Sequence, residues 1–157
     1  MSDALIEIER KFLVDGDFKS EATASVHIIQ GYLNRDPART VRIRIQDGSG
    51  LLTVKGISSG ASRFEWETTI PEDDARRLLA LAEPGIIDKT RYLVPASDGH
   101  VWEVDEFHGN NEGLVVAEIE LGDENEPFVR PAWAKKEVTG DPGYFNSSLA
   151  KISKGVF

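Results

Sequence analysis

Cysteine is absent from the 157 residues. That excludes disulfides, thiolate nucleophiles and Cys-ligated zinc or iron-sulfur centres, so any metal must be held by oxygen or imidazole, and a hard cation such as Mg²⁺ or Mn²⁺ suits that donor set best. Long apolar runs are also missing, since none approaches the roughly 20 residues of a membrane helix. Met1-Ser2-Asp3-Ala4 opens without the basic and apolar stretches of a signal peptide, and a cytoplasmic protein with no membrane partner is expected. Basic charge is in deficit: a formal charge of −9 and a pI of about 4.8 argue against a broad nucleic-acid surface, so no nucleic-acid partner is expected. His27, His100 and His108 are few and scattered, without metal-ligand spacing, and are read as structural or solvated. There is no P-loop and no Ser-His-Asp set. A chain of this length fits one domain spanning 1–157.

What the chain does have is period-two alternation. Ile6 to Phe12, Val26 to Leu33, Thr40 to Ile45, Leu51 to Lys55, Arg63 to Ile70, Ile87 to Val94, Val101 to Phe107 and Leu114 to Leu121 are rich in Val, Ile, Leu and aromatics and read as strands. Between them, 47–50, 56–60, 98–99 and 109–113 carry Gly, Asp and Asn in hairpin arrangements. Pro71 followed by Glu72, Asp73 and Asp74 predicts a helix over 71–82, with Leu78, Leu79 and Leu81 packing inward and Pro84-Gly85 as the stop. Weaker helical signals run over Asn125 to Trp133, interrupted by Pro131, and over Tyr144 to Ser153. Trp66, Trp102 and Trp133 are expected to pack outside the strands against helices.

In strand after strand one parity collects ionisable groups. Glu7, Glu9 and Lys11 alternate with Ile6, Ile8 and Arg10. Arg42 and Arg44 oppose Val41 and Ile43, and Lys55 opposes Val54. Glu65 and Glu67 oppose Phe64 and Trp66, while Glu103 and Asp105 oppose Trp102 and Val104. Glu118 and Glu120 oppose Ile119, and Lys89 and Arg91 share one parity. A single strand of this kind reads as a solvated sheet face. Eight of them cannot be covered by one or two helices, so the sheet must close or pair with another. The expected fold is mainly β with accessory helices (α+β): a closed eight-stranded antiparallel barrel with a charged lumen, large enough for one small ligand.

Carboxylates about 4 Å apart repel by about 4 kcal/mol at an effective dielectric near 20. Glu7, Glu9, Glu118 and Glu120 therefore need a compensating cation if they gather. Gathered Arg and Lys side chains need an anion, and Arg suits the fork-like contact with phosphate. Such an interior is half metal site and half phosphate site.

Glu7-Ile8-Glu9-Arg10-Lys11 resembles the ExExK signature of the CYTH, or triphosphate tunnel metalloenzyme, superfamily. The resemblance continues through Gln30-Gly31-Tyr32-Leu33, Arg42-Ile43-Arg44, Leu52-Thr53-Val54-Lys55-Gly56, Glu65-Trp66-Glu67, Lys89-Thr90-Arg91-Tyr92, Glu103-Val104-Asp105, Glu118-Ile119-Glu120-Leu121 and Glu137-Val138-Thr139. It implies an eight-stranded tunnel that binds a triphosphate with Mg²⁺ or Mn²⁺. By that resemblance Glu7, Glu9, Glu118 and Glu120 are metal ligands. Lys11, Arg42, Arg44, Lys55, Lys89 and Arg91 grip phosphates, and Tyr32 sits at the tunnel mouth or packs at its rim. Glu65, Glu67, Glu103 and Asp105 are second-metal ligands, water-orienting groups or partners of the lumen bases, with Asp105 placed in the metal set. Glu7, Glu9, Lys11 and Lys89 form the expected catalytic group. The short bacterial branch it looks like consists of inorganic triphosphatases that split tripolyphosphate into pyrophosphate and phosphate. The alternatives are an enzyme acting on thiamine triphosphate or ATP, including a cyclase, and a non-catalytic polyphosphate-binding module. A homodimer is left open, and the final helix, beginning at Tyr144, Phe145 and Asn146, either caps one tunnel end or docks on the surface.

Overall fold

In the computed structural model, which describes residues 5–152, each alternating segment is a strand: β1 Ile6–Val14, β2 Ala24–Asn34, β3 Arg39–Gln46, β4 Ser49–Ser59, β5 Ser62–Ile70, β6 Ile87–Pro95, β7 Val101–Phe107 and β8 Val115–Glu120. A ninth strand, β9 Ala134–Glu137, was not expected, because four residues are too few for an alternation to register. The hydrogen-bonded order is β5-β4-β3-β2-β6-β7-β8-β1-β9, and β5 also pairs with β1. That last pairing closes the first eight strands into the expected antiparallel barrel, with β9 added outside it.

β1 changes neighbours along its length. Ile6 to Ile8 lie against Phe64 to Ser62 of β5, and on the same edge Phe12 and Val14 lie against β9. Glu9 to Leu13 face β8 on the other edge. Tight turns hold the hairpins, and between β3 and β4 Asp47 (φ 50°) and Gly48 (φ 71°) form the two-residue turn whose twist matches antiparallel strands.

The outside of the barrel is covered in two places. Over β2, β3 and β4 lies α1, Glu72–Leu79, started by Pro71 and three acids that complement its positive end. It comes close enough that Ala75 is fully buried and a Cβ on Gly50 would stand 2.7 Å from Ala75 Cβ. The helix is shorter than the expected 71–82, and Leu81, expected to pack, is 74% exposed beyond its end.

Over β1, β6, β7 and β8, Phe12, Val94, Trp102, Val104, Ala117 and Ile119 form a buried cluster with Phe18, Leu121 and Trp133. The helix expected over 125–133 does not form, because Pro127 and Pro131 remove the N–H groups an α-helix needs. The segment is instead an irregular strap whose Phe128 ring stands 6.0 Å from Phe12 and 5.8 Å from Trp102 in edge-to-face contacts. Trp102 and Trp133 thus pack under loop chain rather than a helix, and Trp66 remains 42% exposed.

Near the C-terminus a single turn, Pro142–Tyr144, leads into α2, Asn146–Ile152; Ser153, where that helix was expected to end, and Met1 to Ala4 lie outside the described residues. Leu149 of α2 meets Tyr32, Ile87, Phe107 and Val116, with Leu13 and Leu114 beside them. Tyr32, Ile87, Phe107, Val116 and Leu13 lie on the inward parity of their strands, so this apolar cluster closes one end of the barrel.

Candidate active site

Residues directly opposed in antiparallel strands point to the same face, and the register assembles the charged parity into one lumen. Glu9 faces Glu120, Lys11 faces Glu118, and Glu118 also faces Glu103 across β7. Arg91 faces Asp105, Lys55 faces Glu65, and Thr53 lies between Arg42 and Glu67. The result is a cavity of about 480 Å³ whose lining includes Glu7, Glu9, Lys11, Tyr32, Arg42, Arg44, Lys55, Lys89, Arg91, Glu118 and Glu120. Of the expected site residues only Asp105 stands off this lining. Exposure rises away from the apolar plug: the Lys89 side chain is 1% exposed, whereas Glu103 is 43% and Glu67 39% exposed. The open end is therefore acidic and the deep end cationic. Tyr32 lies at the closed end, not the mouth, and its hydroxyl accepts from Gln30 Nε2 at 3.1 Å.

The cations are held by a ladder of ion pairs. Arg91 makes a two-pronged contact with Asp105 at 2.8 and 2.9 Å and reaches Glu103 at 3.3 Å and Glu118 at 3.4 Å. Lys89 Nζ lies 2.7 Å from Asp105 Oδ2, and Lys11 Nζ 3.2 Å from Glu118. Lys55 pairs with Glu7 at 2.9 Å and Glu65 at 3.5 Å, and Arg42 with Glu67 at 3.2 Å. Both oxygens of Asp105 are thus engaged by Lys89 and Arg91. Burial opposes its ionisation, but those two cations outweigh burial and hold its carboxyl far below the usual range. For Glu118, burial is likewise outweighed, chiefly by Lys11 and Arg91, which bring it down to about 2.

The cations of the deep end are nonetheless incompletely satisfied. Arg44 has no carboxylate partner among the described residues; its Nε donates to Gln30 Oε1 at 2.8 Å. Burial and the neighbouring charges of Arg42 and Arg91 lower it to about 9. Among the described residues Arg42 Nε is buried without a hydrogen-bond partner. Lys89 is lowered to about 7, mainly by burial, with Arg91 and Arg44 adding to it. A buried donor without an acceptor costs about 1–3 kcal/mol, and a polyanion with several oxygens supplies what these groups lack.

Among the carboxylates the imbalance has the other sign. Glu9 and Glu120, directly opposed, make no ion pair among the described residues. Burial, Glu118 and Glu7 push Glu9 up to about 8, and burial, Glu7 and Glu118 raise Glu120. Among the described residues no three acidic or imidazole groups already converge as a metal site. The fit to a metal is therefore one of donor chemistry: hard, mutually repelling carboxylate oxygens suit Mg²⁺ or Mn²⁺.

Several residues at the cavity were given no site role by the sequence reading. Arg63 shares the parity of Glu65 and Glu67 and faces Glu7, a signal that extending the alternation by two residues exposes. Thr139 accepts from the Lys11 backbone N–H at 2.9 Å. Gln30, Phe145 and Asn146 also line or back the cavity. Phe145 and Asn146 were read only as the start of a final helix that caps one tunnel end or docks on the surface, since their contacts depend on where the C-terminal segment docks.

A CYTH domain model matches residues 5–155. The chain is 50% identical over 146 residues to an inorganic triphosphatase of Acetivibrio thermocellus, covering 92% of this chain and 93% of that protein. It is 34% identical over 149 residues to an inorganic triphosphatase of Nitrosomonas europaea, covering 93% and 97%. A solved crystal structure of an inorganic triphosphatase matches with a TM-score of 0.63 at 33% identity, covering 92% of this chain and 97% of the other. With its closed barrel, its charged lumen and these relatives, the chain belongs to the CYTH domain family.

Proposed function

We propose that the protein hydrolyses inorganic tripolyphosphate to pyrophosphate and phosphate in this tunnel, with a divalent metal as cofactor. The observation that carries the reading is the gathering, in a protein of net charge −9, of Lys11, Arg42, Arg44, Lys55, Lys89 and Arg91 around one cavity, where among the described residues Arg44 has no carboxylate and Arg42 Nε no hydrogen-bond partner. A triphosphate places oxygens along that row. The relatives named as inorganic triphosphatases support this substrate.

Phosphoryl transfer asks little covalent chemistry of a protein, so positioning and charge compensation supply most of the acceleration. Fixed cations hold the phosphate chain in line. A water oxygen attacks a terminal phosphorus, the bond from that phosphorus to the bridging oxygen breaks, and pyrophosphate leaves. Glu7 or Glu9 takes the water proton, and Lys11 and Lys89 offset charge on the phosphoryl oxygens and the leaving group. Glu7, Glu9, Glu118 and Glu120 would hold Mg²⁺ or Mn²⁺, which when bound supplies Lewis-acid stabilisation of phosphate charge. Asp105, committed to Lys89 and Arg91, fits the role of a support for those cations better than that of a ligand. The reading includes a cytoplasmic setting, with neither nucleic acid nor membrane as partner.

A second reading, an organic triphosphate as substrate, draws on a neighbouring groove of about 740 Å³ lined by Pro37, Ile57, Pro142 and Phe145, the last shared with the tunnel. One assay separates the two: phosphate release from tripolyphosphate, ATP and thiamine triphosphate, with and without a chelator. Tripolyphosphate should turn over fastest, and only with metal. Cyclic AMP with pyrophosphate from ATP, or tight binding without turnover under any divalent metal, would overturn the first reading.

A further inference from the structure

At the deep end of the cavity the C-terminal segment meets the cation row. Asn146 Oδ1 accepts from Lys89 Nζ at 2.7 Å and from Gln30 Nε2 at 3.2 Å. Gln30, completely buried, accepts from Arg44 Nε through its Oε1 at 2.8 Å. The assignment of these amides follows from their partners: an ammonium and a guanidinium only donate, so the atom facing each must be oxygen, and the Gln30 amide nitrogen is then left to face Tyr32 and Asn146. The preceding residues touch the same row. Lys11 Nζ donates to the Tyr144 carbonyl at 3.3 Å, and the Phe145 ring lies 5.8 Å from Lys11 Nζ and 5.2 Å from the Arg63 guanidinium.

We infer that Asn146 is a positioning residue: its amide oxygen, a second acceptor for Lys89 beside Asp105, fixes the direction in which the Lys89 ammonium presents its remaining N–H to a bound phosphate, and through Gln30 it steadies Arg44. An ammonium has three donors and rotates freely about its last bond. With one donor held by Asp105 and a second by Asn146, rotation is blocked and the third is directed by the tetrahedral geometry. A neutral acceptor does this without cancelling the charge of Lys89. A carboxylate in its place would keep the direction and weaken the cation row, whereas an apolar residue would free the rotation and keep the charge. The inference rests on the tripolyphosphatase reading for its kinetic consequence, but not for the geometry.

The test therefore has two arms. In the first, Asn146→Ala and Asn146→Asp are compared with the unaltered protein by steady-state kinetics on tripolyphosphate with Mg²⁺ or Mn²⁺, each normalised to folded protein. Asn146→Ala should lower kcat at least tenfold with KM changed less than threefold. Asn146→Asp should keep kcat within threefold and raise KM at least fivefold. If α2 docking were its only role, both variants would melt earlier yet share the unaltered kcat and KM per folded molecule, and that result would overturn the inference. The second arm needs no turnover. In ¹⁵N-lysine-labelled protein at low temperature, the Lys89 ammonium signal, assigned with Lys89→Arg, should be visible because it is buried and doubly bonded, retained in Asn146→Asp and lost in Asn146→Ala. An unchanged Lys89 signal in Asn146→Ala sinks the inference, while a lost signal in a protein that never hydrolyses tripolyphosphate sinks the functional reading and leaves the positioning role standing.

Discussion

Asp105 shows how one buried carboxylate organises a site it does not line. It is 2% exposed and holds Lys89 at 2.7 Å and Arg91 at 2.8 Å. Asp105→Asn keeps the shape and leaves two buried cations short of a counter-charge; breaking a buried pair in this way costs about 3–5 kcal/mol. Glu118 also approaches Arg91 and absorbs part of that loss. Urea unfolding should show the destabilisation, and a change under about 1 kcal/mol would mean the pair contributes little beyond what neutral hydrogen bonds give. The sequence placed Asp105 on the charged parity with the metal set. Only the register, which puts it opposite Arg91 and next to Lys89, separates a supporting carboxylate from a ligand.

At the scale of elements, two contacts outside the lumen hold the wall in place. α1 sits on β4 through Gly50, where an added Cβ would meet Ala75 Cβ at 2.7 Å, Ile70 Cγ1 at 2.9 Å and the Ile70 carbonyl at 3.0 Å. Overpacking of this kind costs about 1–3 kcal/mol, so Gly50→Ala should lower the urea midpoint while leaving the slope unchanged. A neutral result would show that α1 can move outward freely. The strap over the Trp102 face is tied to the turn between β6 and β7 by His100, whose Nε2 lies 2.6 Å from Glu126 Oε2 and whose Nδ1 lies 3.0 Å from Asp98 Oδ1. The hydrogen bond to Glu126, and then the nearby Asp98 carboxylate, raise the imidazole above its ordinary range. A raised folded value means the protonated form is favoured by folding. Its stabilisation is complete below the ordinary imidazole value and is lost as pH rises through the raised one. The melting-temperature gap between the protein and His100→Ala should accordingly shrink as pH rises above the ordinary imidazole value of about 6.5; a gap that is constant or widens with rising pH contradicts the assignment. Nothing in the sequence joined His100 to Glu126. The segment carrying Glu126 read as the first turn of a helix, and the prolines that make it a strap act through a backbone path that periodicity does not describe.

For the molecule as a whole, like charges are concentrated inside a closed wall, and a ligand of opposite charge relieves that cost only in the folded state. Tripolyphosphate at about 100 times its dissociation constant should add about 2.7 kcal/mol, or roughly 5–10 °C in melting temperature for a domain of this size. Thermal scans with and without tripolyphosphate at fixed ionic strength check this. Equal melting temperatures at saturating ligand would remove the tunnel as the binding site.

The alternation of Glu7, Glu9 and Lys11, repeated in strand after strand, by itself determined that a charged face exists and that so many such strands must close, because period two assigns a side and one or two helices cannot cover that width. It determined also which residue types line the lumen. Tertiary structure alone decided the depth of each group along the barrel axis: the apolar plug of Tyr32, Ile87, Phe107, Val116 and Leu149 fixes the blind end, which puts Tyr32 at the base, where the sequence had left mouth and rim both open. It decided too that β9 and Asn146 belong to the site's surroundings. Parity is a local property of the backbone, whereas depth, pairing and docking depend on register between strands far apart in the chain, and register is set by packing that no single segment contains.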